Sequence, residues 1–317
     1  MNKYMSNHYE VLLKRGSYIE SKHNVHAVIC DKKGRILMHA GNHGYETFIR
    51  SSLKPFQSLP LVSSGTTAKY KIAEKGIAIA SGSHAGTTKH AREAFKILWN
   101  SEVDIDYLKC PIPSGAKSKL EHNCSGKHAG FLATCKRMGW PLETYLEKTH
   151  PLQIEIIRRV TDLINIPKDE MVFAKDDCGA PTLYMRLSQM AYLYALLGSS
   201  QNPEFEQINR SMLSYPELVS GEGRFDTELM RHAHGQLISK GGSEGIQCIS
   251  RLREGIGVAI KVEDGSKRAK HAAAIAILKE LDWVTPSGLE ILQQNLSSTL
   301  RKGLELEVKG NLKFQES

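Results

Sequence analysis

An α+β fold is predicted for this chain of 317 residues by three observations: β-rich runs at both ends, a long middle with apolar residues at helical spacing, and a 41% hydrophobic content. Near the start, VHAVIC and RILMHA flank DKKG, which reads as a β-hairpin turning at Asp31 to Gly34. Near the far end, HGQLISKGG, GIQCISR and GIGVAIKVEDG are short strand-like runs divided by glycines. The last of them alternates Val258, Ile260 and Val262 on one face. A lone hairpin cannot bury its face, so these runs are expected to share one antiparallel sheet.

Between them, TTKHAREAFKILWN, PLQIEIIRRVTDLI and APTLYMRLSQMAYLYALL space apolar residues at three and four, and AKHAAAIAILKELDWV returns to helix after the last strands. The expected organisation is a single catalytic unit over 1–317. Its sheet body spans about 1–50 and 235–317, a helical lobe spans about 51–234, and a cleft lies between them. The apolar stretch TLYMRLSQMAYLYALL is read as core rather than as an interface.

The net charge of +8 and a pI near 9.0 raise the question of nucleic acid. The basic residues are dispersed, and the densest stretches, KCPIPSGAKSK and EDGSKRAKH, carry no interleaved aromatics on which bases would stack. No nucleic-acid partner is expected; a solvated basic face or an anionic small substrate accounts for the charge. The opening MNKYMSNHYEVLLKRGSYIE holds no apolar run of signal length, and no segment approaches the length needed to cross a bilayer. A cytoplasmic protein without membrane contact is expected, with its six cysteines reduced.

Five segments combine small and reactive residues. In RSSLKPFQ, Ser51 stands three residues before Lys54, and Pro55 forces any helix to begin within the stretch. The pair reads either as a capped helix start or as a serine with a lysine base at a positive helix end. IAIASGSHAG places Ser81, Ser83 and His84 in a glycine turn. HNCSGKHAGFL packs Cys124, Ser125, Lys127 and His128 around Gly126. It is not a phosphate loop, because Glu121 occupies the place of the first glycine and His128 that of the magnesium-binding hydroxyl. KDDCGAPT sets Asp176, Asp177 and Cys178 ahead of a helix expected to hold Pro181 in its first turn. Cys178 and Cys124 form a possible soft metal-ligand set with a lysine or histidine nitrogen. LISKGGSEG ends a strand with Lys240 beside two glycines. An early Ser-x-x-Lys, a serine turn and a late Lys-Gly strand resemble the three elements of penicillin-recognising serine enzymes.

Taken together, RGSYIESKH, RSSLKPFQ, ASGSHAG, HNCSGKHAGFL, DDCGAP and SKGGSEG, running in order from Arg15 to Gly245, resemble the rhizobial-type, thermolabile and inducible L-asparaginases of the asparaginase II family. The resemblance implies a serine β-lactamase/glutaminase-like fold, a homodimer, and hydrolysis of L-asparagine to L-aspartate and ammonia. It implies two pairs, Ser51 with Lys54 and Ser83 with Lys240, and a zinc trio of Cys124, Lys127 and Cys178. His128 and Asp176 lie beside that trio and, with Arg50, are candidates for holding the substrate. Asp177 stands where relatives tend to have glycine. The expected chemistry is acyl transfer. A desolvated Lys54, its pKa lowered by burial, the helix end and Lys240, takes the proton of Ser51, while Ser83 and Lys240 relay protons. A glutaminase or another amidohydrolase on the same scaffold is the alternative enzyme. A non-catalytic basic binding protein is the alternative outside enzymes.

Overall fold

Strand pairing brings the two ends of the chain into one antiparallel sheet. In the computed structural model, which describes residues 8–199 and 202–315, the order across this sheet is Leu304–Lys309, Tyr9–Arg15, Tyr18–Asp31, Ile256–Val262, Ile246–Arg251 and Leu237–Gly241. Ile36–Ala40 pairs with Tyr18–Asp31 across the Asp31–Gly34 turn, where the Gly34 N–H donates to the Asp31 carbonyl at 3.0 Å, and Lys313–Phe314 pairs with Ile36–Ala40. At the centre, Val25 faces Val262, Ala27 faces Ile260 and Ile29 faces Val258. These six side chains share one buried face because residues two apart point the same way. Burying each Val or Ile contributes about 1.5–3 kcal/mol, so this register is strongly fixed.

Both faces of the sheet are covered. On the first, helix Lys267–Glu280 adds Ala273, Ile277 and Leu278 to the same core. On the second lies helix Leu187–Gly198, whose Met190, Leu193, Tyr194 and Leu197 are fully buried. Its approach depends on Gly257, where an added Cβ would overlap the Ala191 carbonyl and the Ala195 nitrogen. This helix is core, as its composition predicts, but it begins later than expected. Residues Pro181–Arg186 form a strand paired with Val172–Lys175, and the helix starts only where the Gln189 side chain accepts the Arg186 N–H at 2.8 Å. Pro181 therefore opens a strand, where its missing N–H is tolerated.

The contacts divide the described chain into two units. One holds 8–52, Met185–Ser199 and 223–315, and so contains the sheet and the two helices just described. The other holds Leu53–Tyr184 and 202–222. The second unit is mainly helical: Glu74–Ala80 lies against Thr88–Asn100, Ser125–Met138 and Pro203–Ser214. Each start has a local cause. His150 and Asn202 cap the helices that open with Pro151 and Pro203, and Thr87 with His90 forms the box that opens Thr88–Asn100. Gly126 lets helix Ser125–Met138 come close to Glu74–Ala80, since a Cβ there would crowd the Ile79 carbonyl. Among the described residues no helix is long and apolar enough to cross a membrane.

Candidate active site

The helical unit concentrates most of the reactive residues. Lys54 begins the short helix Lys54–Gln57, which follows the 3-10 turn Arg50–Leu53 and carries Pro55 in its first turn. Its side chain is completely buried. The Nζ atom lies 2.7 Å from the Gly82 carbonyl, 2.8 Å from Ser83 Oγ and 3.3 Å from the Asn123 carbonyl. A lysine ammonium has three protons for three acceptors. A neutral amine would keep two N–H groups on the two carbonyls and turn its lone pair to the Ser83 hydroxyl. Burial lowers the pKa of Lys54, and the charge of Lys127 adds to the effect while the thiols of Cys124 and Cys178 oppose it. The cation acting on Lys54 is thus Lys127, a neighbour that the sequence reading did not anticipate.

Ser83 is held in place by its surroundings. The chain leaves helix Glu74–Ala80, and Gly82 passes so close to the backbone of Leu218 and Val219 that no Cβ would fit. The Ser83 N–H donates to the Val219 carbonyl at 2.7 Å. Next to it, His84 accepts the Gly86 N–H on Nδ1 at 3.2 Å, which leaves its Nε2 proton for Ser125 Oγ at 3.1 Å. Ser125 donates in turn to the Leu120 carbonyl at 2.7 Å. The serine loop is thereby tied to the start of the helix that carries Lys127.

Beside Lys54 lies a sulfur pair. Cys178 sits at the tip of the Val172–Lys175/Pro181–Arg186 hairpin, in a turn closed by the Gly179 N–H on the Asp176 carbonyl at 2.8 Å. Gly179 has φ +88°, whereas Asp177 is not among the left-handed residues, so the turn does not require glycine at Asp177. Lys127 Nζ donates to Cys178 Sγ at 3.2 Å. A hydrogen bond from Cys124, the Lys127 charge and His128 hold Cys178 well below the usual thiol range, against the effect of burial. Cys124, sharing its proton with Cys178 and buried, is pushed up correspondingly. Burial acts to deprotonate Lys127, but Cys178, Cys124 and Asp176 outweigh it and raise its pKa. The result is a buried thiolate–ammonium pair.

His128 lies on the same helix as Lys127. The Tyr145 hydroxyl accepts the Lys109 N–H at 3.0 Å and stands 2.7 Å from His128 Nδ1, so its own proton goes to that nitrogen. The imidazole proton is left on Nε2, a fully buried atom on which Cys178 acts. Burial also pushes His122 down to about 4, so it stays neutral and accepts the Cys124 N–H at 3.0 Å.

The residues singled out in the sequence divide between the two units. Lys54, Ser83, Cys124, Lys127, His128, Asp176 and Cys178 all belong to the helical unit; Arg50, Ser51 and Lys240 belong to the sheet unit. Lys54 bonds Ser83, whereas the half-buried Ser51 hydroxyl forms no hydrogen bond among the described residues. Arg50 has φ +53°, a left-handed conformation that costs a non-glycine residue of order 1 kcal/mol or more. Tyr145 was missed because a lone tyrosine in PLETYLEK carries no motif.

For a metal ion, the chemistry of the donor set decides. Among the described residues no three imidazole, carboxylate or thiol side chains stand close enough to share one. An ion here would rest on Cys124, Cys178 and the Lys127 nitrogen, which suits a soft cation such as zinc once the lysine has lost its proton.

A search of curated proteins finds no significant match. The L-asparaginase II family model, by contrast, matches residues 11–314, which leaves only short ends outside it. A lysine aimed at a serine, a sulfur–lysine pair and a match over nearly the whole length lead to one assignment: the chain belongs to the L-asparaginase II family.

Proposed function

We propose that the protein is an L-asparaginase that hydrolyses L-asparagine to L-aspartate and ammonia through a serine ester, on a serine β-lactamase/glutaminase-like fold. The observation that carries this reading is the 2.8 Å contact between buried Lys54 Nζ and Ser83 Oγ. Amide hydrolysis at neutral pH needs a nucleophile stronger than water and a base to take its proton. Neutral Lys54, steadied by the Gly82 and Asn123 carbonyls, takes the Ser83 proton. The serine oxygen attacks the side-chain amide carbon. The C–N bond then breaks, and the Lys54 ammonium returns the proton to the departing nitrogen, which leaves as ammonia. Water attacks the ester and Lys54 accepts its proton; as the C–O bond to Ser83 breaks, Lys54 returns that proton to the serine oxygen, and aspartate leaves.

A second reading keeps Lys54 as base but makes Ser51 the attacking oxygen, with Ser83 passing the proton along. It is favoured by the Ser83 N–H being already bonded to Val219, so that this amide is not free for an oxyanion, and by the unbonded hydroxyl of Ser51. Arg50 and Asp176 are assigned to holding the substrate. His128, buried between Tyr145 and Cys178, acts on the substrate only through the sulfur pair. Zinc bound on Cys124, Lys127 and Cys178 would order the pocket and attract the substrate carboxylate. The protein is proposed to work as a homodimer.

Ammonia release from L-asparagine and, in parallel, L-glutamine tests the reaction. Peptide mapping of protein quenched during turnover tests the nucleophile: an aspartyl ester on Ser83 supports the first reading, and one on Ser51 the second. Silence on both amides from folded protein, with and without zinc, would remove the assignment.

A further inference from the structure

The sheet unit holds its own buried charge cluster around Lys240. Helix Phe225–His232 places Asp226 in its first turn, against strand Leu237–Gly241. Asp226 Oδ1 accepts from Ser239 Oγ at 2.7 Å and from Gln247 Nε2 at 2.8 Å; its Oδ2 accepts the Gly241 N–H at 2.9 Å. Ser239 and Gly241 flank Lys240, so one carboxylate grips the strand on both sides of that lysine. Side chains alternate along a strand, which puts Asp226 on the face of Ser239 and Gly241. Lys240 is 1% exposed, and its Nζ folds back onto the Gly241 carbonyl at 2.6 Å. Lys270, from helix Lys267–Glu280, donates to the Gly242 carbonyl at 3.2 Å. A Cβ at Gly241 would stand 3.0 Å from Lys270 Nζ and 3.4 Å from Asp226 Oδ2.

We propose that Asp226 is the positioning residue for Lys240: its carboxylate fixes the backbone on either side of that lysine and is the buried counter-charge for Lys240 and Lys270 together. The catalytic consequence rests on the reading of Lys240 as a working lysine of the asparaginase; the charge coupling does not. Burial works against an ionised Asp226, yet Lys240 and Lys270 hold it below the ordinary carboxylate range. Burial pushes Lys270 down to about 8, with Asp226 resisting and Lys267 assisting. The other titratable neighbours stay neutral, because burial pushes His271 down to about 3 and Cys248 up to about 12. On the same helix, Glu228 is engaged by the Gly223 N–H and by Arg231.

The test is Asp226→Asn, alone and combined with Lys240→Met. Asparagine can keep an oxygen on Gly241, and its new N–H₂ finds an acceptor once the Gln247 amide turns over to present Oε1, which has no hydrogen bond among the described residues. At neutral pH, Tm is expected to fall by about 4–8 °C in Asp226→Asn, and by clearly less when Lys240 is already Met. The loss should also depend on pH. Asp226 has a depressed folded pKa, so its contribution is present above about 3.9, its unfolded value, and is lost as pH falls through the folded one. Lys270 is depressed too, so the unfolded chain binds its proton more tightly. That cost is full below about 8, larger without Asp226, and gone above the unfolded lysine value of about 10.4. The difference between wild type and variant should therefore peak near neutral pH and shrink on both sides.

A flat difference across pH, or an equal loss with and without Lys240, would reduce Asp226 to a hydrogen-bonding residue and overturn the proposal. If Asp226→Asn alone fails to fold, a folded double variant supports the coupling and an unfolded one refutes it. In an active protein, Asp226→Asn should lower kcat/KM for L-asparagine clearly more when Lys240 is present than when it is already Met, because a positioning residue has nothing left to position in the second case. Equal losses would count against the proposal. A wild type silent on both amides would overturn the asparaginase reading, with Tm still deciding the role of Asp226.

Discussion

Two buried lysine clusters, one in each unit, balance their charge with different chemistry. In the helical unit Lys127 is paired with the Cys178 thiolate, and Lys54 beside them has no carboxylate within hydrogen-bonding distance among the described residues. In the sheet unit Lys240 and Lys270 are balanced by the carboxylate of Asp226. A buried carboxylate with three donors stays ionised over most of the pH range, whereas a thiolate can be protonated, oxidised or metallated. The difference teaches that the lysine environment of the helical unit is adjustable and that of the sheet unit is fixed.

The largest expected effect breaks the adjustable side. Lys54→Met should lower kcat by about 10²–10⁴-fold while the protein stays folded, the range of general-base contributions, since Lys54 Nζ is the group that contacts the Ser83 hydroxyl. Wild-type-like turnover in a steady-state ammonia assay would remove Lys54 from the mechanism. The proposed mechanism needs Lys54 as a neutral amine, and burial lowers its pKa, so activity should rise with pH through a limb well below the ordinary lysine value of about 10.4. A limb at that ordinary value would show that burial does not tune it.

Cys178→Ala comes next. It leaves the Lys127 ammonium buried without its counter-charge, which should cost about 3 kcal/mol in urea denaturation. Adding Lys127→Met should recover much of that loss, and no recovery would mean that packing, not charge, sets the cost. Removing zinc from a loaded sample is the smaller perturbation: KM for asparagine should rise about tenfold with kcat changed less. Complete loss of turnover on chelation would point instead to a metal-activated water.

Most of the sheet and several helices were legible in the sequence because their signals are local. The Asp31–Gly34 turn, the alternation of Val258, Ile260 and Val262, and the periodic helices need only neighbours to be read. Residues Pro181–Arg186 were read as helix because their apolar run continues without a glycine or proline into the true helix, whose start is marked only by the Gln189 side chain on the Arg186 N–H. The strands Tyr9–Arg15 and Leu304–Lys309 are held by long-range pairing, Glu10 with Lys309 and Leu13 with Leu306, which no local window contains. At the site, residue types and motifs were visible, but partners were not. The Lys54–Ser83 contact spans two motifs, and Asp226, in RFDTELMRH, looks like any acidic residue in a first helical turn.

The pairing at the centre of the sheet also has a kinetic meaning. Val25 meets Val262 only after more than two hundred intervening residues have been made, so the core of the sheet unit has very high contact order and a large loop-closure entropy. The residues of the helical unit lie inside that loop. During synthesis the Lys54–Ser83–Cys178 framework can therefore assemble first, and closing of the sheet should be the slow step of folding.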